Sequence, residues 1–91
     1  MDRQEHTNHS AFDTQAVTLA KAHLAEARLL MKQAEREMTA SYPILMAAHA
    51  TGGVAYATAH AAHSANTTRY LVARRRVAQG HTLIERLLRG Y

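Results

Sequence analysis

From Val17 onward the apolar residues of the chain recur in sevens. Val17, Leu24, Met31 and Met38 share one position, and Ala20, Ala27 and Ala34 fall three residues after each of the first three. Spacing of three and four residues puts both rows on one stripe of a helix, the pattern of a seam that packs against another helix. The polar start, with Asn8, His9 and Ser10, lacks this period and reads as a flexible lead-in over residues 1–12. Asp13 or Thr14 supplies a capping side chain, so a first helix is expected over about 13–40. Ser41-Tyr42-Pro43 reads as its end, because proline disfavours helical geometry in the residue before it and suits the first turn of a new helix.

A second heptad pattern follows. Leu45, Gly52, Ala59, Asn66, Ala73, Gly80 and Leu87 share one position, and His49, Tyr56, His63, Tyr70, Val77, Ile84 and Tyr91 the other. The phase persists across Gly52-Gly53 and across Asn66-Thr67-Thr68, where a third helix could be capped. Persistence of phase favours one long helix over about 44–90. The expected fold is all-α: an antiparallel helical hairpin in a single domain of residues 13–91. With the reversal at Ser41–Pro43, Met38 would face Leu45, Met31 would face Gly52, Ala27 would face Tyr56 and Ala20 would face His63. All of these layers but the first pair a large side chain with a smaller one, as interdigitating packing requires.

This register makes the helices unequal. At 1.5 Å per residue the first spans roughly 42 Å and the second roughly 70 Å, so the second would overhang and carry an unpaired apolar stripe. Its members Tyr70, Val77, Ile84, Leu87, Leu88 and Tyr91, together with Leu83, are therefore candidates for contact with another chain. A second copy completing a four-helix bundle is the economical way to cover them, and another protein is the next.

Composition narrows the class further. With 91 residues and no cysteine, the chain has neither disulfide staples nor thiolate chemistry, and its small core must be shared or efficiently packed. One proline and four glycines are too few turn residues for a β protein. No basic start precedes an apolar run, and no apolar run reaches membrane-spanning length, so a soluble, cytoplasmic protein is expected, with signal-independent export compatible with the same pattern. The net charge of +4 is uneven: residues 41–91 hold six arginines against Glu85 alone.

That asymmetry raises a second function class. Arg69, Arg74, Arg75, Arg76, Arg86 and Arg89 could neutralise phosphates or meet an acidic partner, although consecutive arginines spread around a helix as any solvated face does. Seven histidines raise a third. His60 and His63 stand one turn apart, a spacing two metal ligands can use, but His63 and His49 also read as bulky layer residues, and His23 lies on the opposite edge of the seam from His60. No cofactor is expected. No carboxylate occupies an apolar heptad position and no glycine-rich phosphate loop occurs, which argues against an enzyme.

In size and two-helix layout the chain also resembles the small Trp-x-Gly helical hairpins exported by type VII secretion. Ala50-Thr51-Gly52-Gly53-Val54-Ala55-Tyr56 lies where those proteins carry their turn motif. The chain has no tryptophan, and the acidic residue of the family's terminal export signal is missing near Tyr91. The resemblance implies an exported hairpin. The residues themselves favour a non-enzymatic assembly module, a homodimer or a hairpin docked on a protein partner, with nucleic acid as the alternative.

Overall fold

The computed structural model describes the backbone of residues 2–90 and the side chains of residues 14–90. Two helices fold against each other as a hairpin: α1, Asp2–Thr51, and α2, Gly53–Arg89. The all-helical hairpin expected from the heptads is present. α1 begins at Asp2, so the backbone of residues 2–12 is helical where a lead-in to a helix starting near residue 13 was expected; Tyr91, given a contact role, lies outside the described residues.

The reversal lies at Gly52, ten residues after the expected one. Gly52 adopts φ 71° and ψ −167°, and Gly53 follows at φ 63°. An L side chain is strained in these conformations, and a Cβ on either glycine would meet no atom within 4 Å, so backbone geometry is what selects glycine here. This turn falls within the segment likened above to the Trp-x-Gly motif.

Pro43 does not end α1; the helix runs through it. Its ring leaves the Thr39 carbonyl without a helical donor. Both Thr39 and Pro43 are exposed, so water can satisfy that carbonyl. Fifty residues at 1.5 Å each give a helix of about 75 Å, which matches the 75 Å long dimension of the molecule. Packing of the seam on both sides of Pro43 outweighs the local preference to stop.

The turn at Gly52 resets every layer. Residues that face each other now have numbers summing to about 104, as Ser41 with His63 and Leu24 with Gly80 do. The expected pairings of Met31 with Gly52, Ala27 with Tyr56 and Ala20 with His63 are replaced by Met31 with Ala73, Ala27 with Val77 and Ala20 with Ile84. Large-with-small packing survives the correction. A Cβ on Gly80 would lie 3.0 Å from Leu24 Cδ1, so glycine marks a close approach of the two helices.

The overhang also changes. α2 is paired along its length, and it is α1 that extends beyond the open end. Among the described residues no helix is long and apolar enough to cross a membrane.

Candidate interaction surface

Each helix contributes a large row and a small row to the seam. The large row holds Val17, Leu24, Met31, Met38 and Leu45 in α1, and Tyr56, His63, Tyr70, Val77 and Ile84 in α2; all are buried or half-buried. The other row is mostly small: Ala20, Ala27, Ala34, Ser41 and Ala48 in α1, and Ala59, Asn66, Ala73, Gly80 and Leu87 in α2. In an antiparallel pair both small rows fall on the same flank. The hairpin therefore has two unlike faces.

On the large-row flank, rings stack near the turn. Tyr42 lies 5.7 Å from His63, His49 lies 5.3 Å from Tyr56, and Tyr56 lies 5.7 Å from His60, measured between centroids. Farther along, Arg28 Nη2 donates to His81 Nε2 at 3.1 Å. The expected role of His63 as a layer residue holds, with its Nδ1 2.7 Å from Ser41 Oγ; His49 is exposed instead. His60 and His63 thus have ring partners of their own. Among the described residues no group of three or more His, Cys, Asp or Glu is placed to hold a metal ion.

On the small-row flank the alanines and Gly80 leave a groove between the helices. Two hollows of about 390 and 340 Å³ lie along it and share Ala27, Leu30 and Arg76 as lining. Leu19, Leu30, Ile44, Val72 and Leu83, all exposed, edge this flank. Its charges are sorted by wall: at the positions flanking the seam, α1 presents Glu26 and Glu37, and α2 presents Arg69, Arg76 and Arg86. One pair is closed within the chain, Arg69 Nη1 standing 3.4 Å from Glu37 Oε2. Asn66 braces it by donating to the Glu37 carbonyl at 3.3 Å and accepting from Arg69.

The contact residues expected from the sequence are redistributed. Tyr70, Val77, Ile84 and Leu87 are half-buried in the seam against α1, because the overhang that would have freed them is absent; Leu88 stays exposed on the large-row flank. The arginines do not form one stripe. Arg69 and Arg76 edge the groove, Arg86 lies beyond them on the same flank, and Arg74 lies on the other. Arg75 and Arg89 point away from α1, with Arg89 3.9 Å from Glu85. Leu30 and Val72 were not anticipated as contacts. Their signal was the second apolar residue in Leu29-Leu30-Met31 and Leu71-Val72-Ala73, a step wider than the seam needs.

The hairpin buries little. Among the described residues no large side chain is fully enclosed, and the buried apolar set is Leu24 with Ala20, Ala34, Ala59 and Ala73. The chain exposes 7144 Å², whereas a compact monomer of its 10.1 kDa mass exposes about 5,300 Å². Its radius of gyration is 20.9 Å, against about 12 Å for a compact domain of this length. Comparison of the chain with known protein families, with curated proteins and with solved structures finds no match.

Proposed function

We propose that this protein is an assembly module, a two-helix hairpin that completes a helical bundle with another pair of helices and does no chemistry of its own. The observation that carries this reading is surface left uncovered. About 1,900 Å² more is exposed than a compact monomer of this size would leave. Eleven large apolar side chains are among the exposed residues, Leu29, Leu71 and Leu88 with them. Burial of apolar surface drives both folding and association, and an alanine-rich two-helix seam supplies too little of it alone.

Light scattering across a wide concentration range tests the reading. An assembly of two or more chains, little changed by added salt, is the expected result. A mass of one chain at every concentration rules out self-assembly and leaves a different helical protein as the partner.

A further inference from the structure

We infer that the occupant of the small-row groove is a second copy of this chain, stacked face to face with both turns at the same end, so that α1 of each copy lies over α2 of the other. This rests on the assembly reading and adds the face, the partner and the arrangement.

Two symmetric ways of stacking the groove faces exist. With the turns at opposite ends, α1 lies over α1 and α2 over α2, which sets the Arg69, Arg76 and Arg86 wall against itself. Like charges at such distances repel. With the turns at the same end, the acidic wall of α1 meets the basic wall of α2 twice. Charge sorting selects the second arrangement.

The side chains then match rung by rung. Residues at equal height on the hairpin have numbers summing to about 104, the register set by Ser41 with His63 and Leu24 with Gly80, and the nearest edge partners sum to 102, an offset of about 3 Å. Leu19 lies over Leu83 of the second copy, Glu26 over Arg76, and Leu30 over Val72. Nearer the turn Ala40 lies over Ala62, and Ala47 over Ala55. Four of these rungs join apolar side chains and one joins acid to base; between them Gln33 lies over Arg69, Glu37 over Ala65 and Ile44 over Thr58. Glu26 and Arg76 are both exposed, as such a pairing requires.

On the large-row flank the nearest edge partners sum to about 106 and match less well: Lys32 would lie over Arg74 and Glu35 over Leu71, with Lys21 over Glu85 the one pair of opposite charges. The hollows beside Leu30 are then filled by the second copy's edge residues.

The test uses the full chain and solution mass, with helicity by circular dichroism confirming each variant folded. Leu30→Asp raises the dimer dissociation constant tenfold or more, while Leu71→Asp, equally exposed but on the other flank, changes it less than twofold. Glu26→Arg and Arg76→Glu each weaken self-association severalfold, and their equimolar mixture recovers a dimer, because each variant presents the charge the other needs. If Leu71→Asp dissociates the assembly and Leu30→Asp does not, the groove is the wrong face while the assembly reading stands. If Leu30→Asp dissociates it but the mixed charge variants show no recovery, the arrangement of α1 over α2 is overturned. A wild-type monomer overturns the second copy as the occupant.

Discussion

Ser41 Oγ stands 2.7 Å from His63 Nδ1 across the seam and donates its own proton to the Met38 carbonyl at 2.9 Å. A hydroxyl has one proton, so both bonds together require His63 to donate through Nδ1–H. Ser41 is the one buried polar side chain among the described residues, and the neighbouring rung holds Asn66, which donates to the Glu37 carbonyl. Two adjacent polar rungs fix the register, since a slip would leave their groups unpaired.

Ser41→Ala should therefore destabilise the hairpin by about 1–2 kcal/mol, the usual effect of orphaning a partly buried donor. Adding His63→Phe should return part of that loss, because no polar group is then left unpaired. Urea unfolding of both variants checks this. A double variant less stable by the sum of two independent losses would mean that the pair is not coupled.

Pro43→Ala should stabilise. Proline within a helix removes one hydrogen bond and costs up to about 3 kcal/mol against alanine. Pro43 is exposed inside α1, so no packing is lost. A gain of about 1–3 kcal/mol, seen as a higher thermal midpoint, is the expected result. An unchanged or lower midpoint would contradict a helix continuous through residue 43.

Gly80→Ala sets two effects against each other. Alanine is the better helix former by about 1 kcal/mol, and its Cβ would crowd Leu24 Cδ1 at 3.0 Å. Leu24 and Gly80 both line the open groove, so the leucine tip has room to turn aside. The net change should stay within about 1 kcal/mol by this reckoning, whereas Gly80→Leu, which overpacks the seam, should cost about 1–3 kcal/mol. Equal tolerance of both, read by thermal unfolding, would mean that the helices do not approach closely there.

Joint replacement Gly52→Ala with Gly53→Ala should open the hairpin. Left-handed backbone costs a non-glycine residue roughly 1–2 kcal/mol at each position, and alanine favours continued helix. The same seam can then be satisfied between two extended chains. Scattering should report a longer particle with helicity retained. A particle of unchanged length would show that the turn tolerates alanine.

The heptads displayed the seam plainly and concealed its turning point. A chain folded back about Gly52 reflects that residue's own heptad class onto itself, so Leu45, Gly52 and Ala59 keep step whether the helix continues or reverses. The other row does break step. It runs Ala34, Ser41, Ala48 and then Tyr56, His63, so two gaps of four residues, Ala48 to Gly52 and Gly52 to Tyr56, stand side by side. The same inspection at Pro43 finds Met38, Ser41, Leu45 and Ala48 in unbroken alternation. Proline's local preference was given more weight than that continuity, and tertiary packing overrode it. Antiparallel pairing alone puts both small rows on one flank; what the expected register got wrong is which residues of α1 and α2 line the groove together.

A seam built of rungs, each joining one residue of α1 to one of α2, has the mechanics of a zipper. No rung touches any but its neighbours, and there is no central mass to hold the ends. Opening should start at the rung of Val17 and Leu87, farthest from the turn, and travel inward, so amide protons there exchange soonest and those near Leu45 and Ala59 last. A partner laid along the groove would clasp many rungs at once, turning a molecule that frays gradually into one that opens all together.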